Sequence, residues 1–236
     1  MNAFSVFLGQ ILALFVVAGV VLLYLKTRKP KAVEPEAPPE PVPVDDVYWE
    51  GNWKYIGGKF TQINIADYRA VYCFKYYPKG KYSKLSKADD AHREMILAFK
   101  NGDHYKAVEL VSDFLRGNFW KSVLRHWVFC VIPAAEADKN EKRYKDFCAE
   151  VARETGIADG YEVVSRVSNR LDSRRGKAED TLSGLRIDPS LIQGKSVLLF
   201  DDITTRGTSF IQLADNLRSA GADKVVGFFL GKTVFD

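Results

Sequence analysis

Cysteine is scarce in this chain: Cys73, Cys130 and Cys148 are the only three among 236 residues, widely spaced and odd in number. That argues against a disulfide framework and against the paired spacing of a structural zinc site, and it points to a reducing compartment. Histidine is as sparse. His92, His104 and His126 lack metal-ligand spacing, so no metal site built from side chains is expected. No Gly-x-Ser-x-Gly elbow occurs either. Neither sign of charge dominates, since 34 Lys and Arg against 30 Asp and Glu give a net +4, too small to demand a duplex nucleic acid as partner. What is present, 47% hydrophobic and 27% charged residues, describes an ordinary folded chain with room for one globular domain.

The one long uncharged run lies at the N terminus, where Phe4 to Leu25 holds only Ser5 and Gln10 as clearly polar side chains. As a helix it would extend about 33 Å, enough for a hydrocarbon core of about 30 Å. A cleaved signal peptide fits less well: no Lys or Arg precedes the run, it exceeds the usual apolar region, and no small-x-small pattern follows it. A transmembrane anchor with its basic flank is therefore expected over 1–29, crossing the membrane through residues 4–25. Lys26, Arg28, Lys29 and Lys31 come directly after the span, which predicts a single pass with the remainder cytoplasmic. From Pro30 to Asp46 the chain reads PKAVEPEAPPEPVPVDD, without apolar periodicity. That composition predicts an extended, semi-rigid linker, leaving 47–236 as the folded domain.

The domain opens with aromatic segments. Tyr48, Trp49, Trp53 and Tyr55 flank Gly51-Asn52 like a hairpin, and Tyr68 to Tyr77 is dense in strand formers before the turn signal Pro78-Lys79-Gly80. Helices are expected over Asp90 to Lys100 and Tyr105 to Arg116. Beyond them the pattern alternates: strand Trp127 to Ile132, helix Glu141 to Thr155, strand Tyr161 to Val167, strand Ser196 to Phe200, helix Thr208 to Ser219, strand Lys224 to Leu230. Repeated strand-helix-strand units predict an α/β fold with a parallel sheet. Phe210, Leu213, Ala214 and Leu217 recur at helical spacing and Gly221 follows them as a left-handed stop, so these apolar residues belong to the core.

The chemistry is concentrated where the apolar strand ending at Phe200 delivers Asp201-Asp202, then a hydroxyl-rich loop with Gly207, then a helix. Backbone N–H groups of such a loop and first helical turn converge on an anion, Gly207 permits close backbone approach, and Thr204, Thr205, Thr208 and Ser209 add hydroxyl donors. Asp201 and Asp202 at the strand end can accept hydrogen bonds from vicinal hydroxyls of a sugar carrying that phosphate. Together they describe a sugar-phosphate site. The alternatives are a Walker-type magnesium pair and a plain helix cap. A Walker pair requires a phosphate loop, and in the two near misses, Gly57-Gly58-Lys59-Phe60 and Gly194-Lys195-Ser196, Trp53 and Pro189 stand where the leading glycine should be.

The run Val197-Leu198-Leu199-Phe200-Asp201-Asp202-Ile203-Thr204-Thr205-Arg206-Gly207-Thr208-Ser209 resembles the binding motif for phosphoribosyl pyrophosphate (PRPP) of type I phosphoribosyltransferases. From about Tyr72 to Thr233 the order of segments is similar to the ComF-like branch, including Cys130-Val131-Ile132-Pro133 and the downstream Lys139, Arg143 and Tyr144. The resemblance implies a type I phosphoribosyltransferase fold with a small aromatic-rich N-terminal hood, the segment Tyr48 to Tyr82 either stacking on a base or packing on the sheet. It implies PRPP as ligand, with Mg2+ bound through PRPP rather than by a protein metal site, and a small nitrogenous acceptor. Arg206, where the family usually has Thr, joins Thr204, Thr205, Gly207, Thr208 and Ser209 in the phosphate-binding set. The resemblance places Pro133, Ala134, Ala135 and Lys139 at the pyrophosphate. Arg170, Arg174, Arg175 and Lys177 in NRLDSRRGKAED form a cationic lid, Arg174 and Arg175 joining Asp201 and Asp202 as catalytic residues. A non-catalytic, membrane-tethered sensor of PRPP or a nucleotide is the alternative, linked to DNA uptake by family analogy alone, and a homodimer is left open.

Overall fold

Consecutive apolar residues such as Trp127 to Ile132 and Val197 to Phe200 can form strands only where both faces are covered. The computed structural model describes residues 60–82, 84–119, 121–166 and 184–234 and has that arrangement, an α/β domain around a six-stranded, mostly parallel sheet. The chain divides into two units, Met1–Pro43 and Val44–Asp236, and every described residue belongs to the second. The expected span, linker, hairpin at Gly51-Asn52 and basic segment Arg170 to Lys177 lie outside the described residues. Among the described residues no helix is long and apolar enough to cross a membrane.

In chain order the elements are β1 (Thr61–Ile65), β2 (Tyr68–Tyr76), α1 (Lys87–Lys100), α2 (Tyr105–Asn118), α3 (Lys121–Leu124), β3 (Trp127–Val131), α4 (Ala137–Thr155), β4 (Ala158–Asp159), β5 (Val164–Arg166), β6 (Leu185–Ile187), β7 (Ser196–Thr204), α5 (Thr208–Ser219) and β8 (Lys224–Thr233). The main sheet runs β1-β2-β8-β7-β3-β4. Only β1 is antiparallel to its neighbour. β7 lies between β8 and β3, and all three strands end at the same edge, so the connections after them emerge together.

Alternation of side chains across β7 divides the interior into two cores. Val197 and Leu199 pack with Phe210, Leu213, Ala214 and Leu217 of α5. Leu198 and Phe200 face the other way, onto Phe99 of α1, Phe114 of α2 and Phe147 of α4. Phe200 is the hub of that second core: ring centroids of Phe99, Phe129, Tyr144, Phe147 and Phe228 stand 5.4, 5.9, 6.3, 4.7 and 6.0 Å from its own. The contacts to Phe99, Phe129 and Tyr144 are edge-to-face and that to Phe228 is stacked, and aromatic pairs of both kinds add to the burial of apolar area.

The structure departs from the sequence expectations in several places. Of the strand expected over Tyr161 to Val167, Tyr161–Val163 is instead a 3-10 turn, and Val164–Arg166 is β5, paired antiparallel with β6 in a separate ribbon rather than in the parallel sheet. Of the aromatic segment expected in a hood, Tyr68 to Tyr76 is instead β2, a strand of the main sheet beside β8. α1 begins at Lys87 rather than Asp90, because the hydroxyl of Ser86 accepts a hydrogen bond from the Asp89 N–H at 3.0 Å and caps it. α4 begins at Ala137 rather than Glu141. β7 continues four residues past Phe200, carried by pairing with β8 as far as Thr204 opposite Lys232.

Candidate functional site

A β-strand that ends in a short loop and a helix leaves first-turn N–H groups without partners in the helix. At the β7–α5 junction, Gly207 occupies the N-cap position with φ +78°, and no side chain caps the turn. A cavity of about 300 Å³ opens beside these groups. Asp201, Thr204, Thr205, Arg206, Gly207, Thr208 and Ser209 line it, with Phe210 and Phe229 as the apolar wall. The predicted phosphate-binding set is therefore brought together around one cavity. Helix polarity, hydroxyl donors and the Arg206 guanidinium all favour an anion there.

Gly207 serves a further purpose. A Cβ at this residue would lie 2.4 Å from Cγ2 of Ile65 in β1. The close approach that demands glycine is made to the protein's own edge strand, where the sequence suggested only the ligand. A left-handed φ adds a second reason against a side chain.

The two carboxylates of the motif part company. Asp201 lines the cavity, whereas Asp202 is buried on the face packed by α1 and α4. There Nη1 of Arg143 donates to Asp202 Oδ2 at 2.9 Å and Lys100 Nζ stands 3.3 Å from Oδ1. Of the two carboxylates expected to meet one sugar, Asp201 alone lines the cavity, because successive side chains of a strand leave opposite faces. The residues remain linked through the backbone, the Asp202 N–H donating to Asp201 Oδ1 at 2.8 Å. Burial, then the neighbouring Asp202 carboxylate, pushes the Asp201 carboxyl well above the usual range, while that N–H, Lys100 and Arg143 pull it down. Beneath the pair, burial followed by the two carboxylates raises the Tyr144 phenol.

Pro133, Ala134 and Ala135 form the connection from β3 to α4, at the sheet edge from which the β7–α5 loop also emerges. None of them lines the cavity. Ala134 is held on both sides: its N–H donates to Asn140 Oδ1 at 2.9 Å, and its carbonyl accepts from Arg166 Nε at 3.1 Å. Lys139 is exposed, pairs with Glu136 at 2.7 Å, and does not line the cavity. Arg174 and Arg175 lie outside the described residues. Among the described residues no three His, Cys, Asp or Glu side chains gather as a metal-binding group.

Sequence reasoning missed Lys100 altogether and took Arg143 only as a match in spacing. A signal existed in the buried Asp202, which needs a cation, but not in which cation supplies it. No family model matches the chain, and no curated protein matches it.

Proposed function

We propose that this domain binds PRPP through the β7–α5 cradle and acts as a phosphoribosyltransferase. The observation that carries the reading is the juxtaposition of one carboxylate, Asp201, with an uncapped helix start and a ring of hydroxyls around a single cavity. The 5-phosphate would occupy the loop and first turn of α5, and Asp201 would accept from a ribose hydroxyl. In the reaction the C1–oxygen bond to pyrophosphate breaks, an acceptor nitrogen bonds to C1, and the nitrogen's proton leaves to solvent. Mg2+ would arrive bound to the pyrophosphate of PRPP, with Asp201 the carboxylate lining the cavity, and would help neutralise the departing charge. The basic segment Arg170 to Lys177 is assigned to the same task, with the type I phosphoribosyltransferase fold and the membrane anchor as parts of this proposal.

Pyrophosphate release from PRPP, measured with a panel of bases and amines, tests the reading. Turnover with at least one acceptor is expected, and its loss on replacing Arg174 and Arg175 by Ala. One observation favours a second reading, a sensor that binds PRPP or a nucleotide without turnover: Asp202 is already neutralised by Arg143 and Lys100, so a sugar diol meets one carboxylate rather than two. A sensor would bind PRPP and release no pyrophosphate with any acceptor.

A further inference from the structure

Asp202 is adjacent to the one carboxylate that lines the cavity, yet it spends its own charge elsewhere. Its side chain is buried, with Arg143 of α4 and Lys100 at the end of α1 on its two oxygens. Its N–H holds Asp201 Oδ1. The charged and titratable groups acting on Asp201 are therefore Asp202 on its own strand, Lys100 from α1 and Arg143 from α4, with Tyr144 of α4 beside the pair and Arg206 among the residues that line the same cavity. Two carboxylates so close repel unless cations compensate them, and repulsion is relieved either by protonating Asp201 or by swinging Asp202 out.

We infer that Arg143 and Lys100 are positioning residues for the cavity on the opposite face of the sheet: they fix Asp202 away from it and so keep Asp201 aligned as the acceptor for a sugar hydroxyl. The inference rests on the sugar-phosphate reading of the site. It assigns no ligand contact to either cation, and it separates the sugar half of the site from the phosphate half. The cradle of Thr205, Thr208, Ser209 and the α5 N–H groups does not depend on the clamp.

Calorimetry on the full-length protein with two probes, ribose 5-phosphate and inorganic phosphate, tests this. Arg143→Met and Lys100→Met should each weaken ribose 5-phosphate by about tenfold, the loss of one charged hydrogen bond, and leave inorganic phosphate unchanged. Arg143→Lys should recover most of the loss. Lys100→Met, at a helix end with a third of the side chain exposed, covers the case in which the Arg143→Met protein does not fold. Unchanged affinity for ribose 5-phosphate, in a protein where Asp201→Asn weakens it, overturns the inference and leaves the sugar-phosphate reading intact. Equal losses for both probes also overturn it, since the clamp would then only hold the fold. If the parent binds neither probe, the sugar-phosphate reading fails and takes this inference with it.

Discussion

Asp201 and Asp202 share a strand and a peptide bond, but the two faces of β7 give them different work. On one face Asp201 borders an open cavity with hydroxyls, a guanidinium and an uncapped helix. On the other Asp202 is sealed beneath the aromatic core around Phe200, with both oxygens matched to cations. A buried carboxylate with partners is a structural component, whereas one whose charge is disfavoured and unpaired is available to a ligand. The paired letters of the motif thus conceal a division between holding the fold and meeting the substrate.

Asp202→Ala should give the largest effect, a loss of about 4 kcal/mol, because it strands the mostly buried Arg143 guanidinium. Lys100 adds little to that figure, since its side chain is partly exposed and screened. Denaturant unfolding measures the cost, and a variant as stable as the parent would erase the contrast between the two carboxylates. Gly207→Val should come next at about 3 kcal/mol, combining a disfavoured left-handed backbone with overpacking against Ile65. Pairing it with Ile65→Ala should restore part of the stability but not the backbone term.

Asp201→Asn should act on binding instead, weakening PRPP by about 2 kcal/mol through loss of a charged acceptor. Its effect on stability should have the opposite sign at neutral pH. A carboxyl whose folded pKa is raised favours the folded state fully below its unfolded value of about 3.9, and that contribution is lost as pH rises through the folded pKa. The Asn variant carries no such loss, so it should melt above the parent at pH 7 and converge with it near pH 3. The smallest effect is expected from deleting Met1 to Lys31, which should release the protein from membranes while both carboxylates behave as before. Retention of the truncated protein in washed membranes would count against the anchor.

How much of this could be read beforehand depends on the range over which each feature is determined. α5 was legible to the residue, since Gly207 and Gly221 bracket a run whose apolar spacing is helical. β7 was legible in its apolar half only. Its polar half, Asp201 to Thr204, is a strand because β8 pairs with it, and pairing leaves no periodic mark in a polar segment. β1 was missed for a related reason: TQINI is an edge strand exposed over most of its length, with little apolar content to signal it. Val164–Arg166 had the right residue types but another partner than expected, because propensity does not specify which strand lies alongside. At the site, the phosphate cradle was local and therefore visible in one run of letters. The clamp joins Lys100, Arg143 and Asp202 across three elements, and no local pattern encodes their meeting.

The β5–β6 ribbon has a bearing on engineering. Arg166 and Leu185 sit opposite each other, so the chain leaves the ribbon and re-enters it at adjacent points. Residues 167–184 join these two points, and neither β5 nor β6 pairs with a strand of the main sheet. Loop closure costs only about 0.6 kcal/mol for each doubling of length, so lengthening this connection should cost the fold little, whereas it would displace Arg170 to Lys177, the residues assigned to the pyrophosphate. A label spliced there would begin next to Arg166, whose guanidinium grips the Ala134 carbonyl, and would report from the rim at which the β3 and β7 connections emerge.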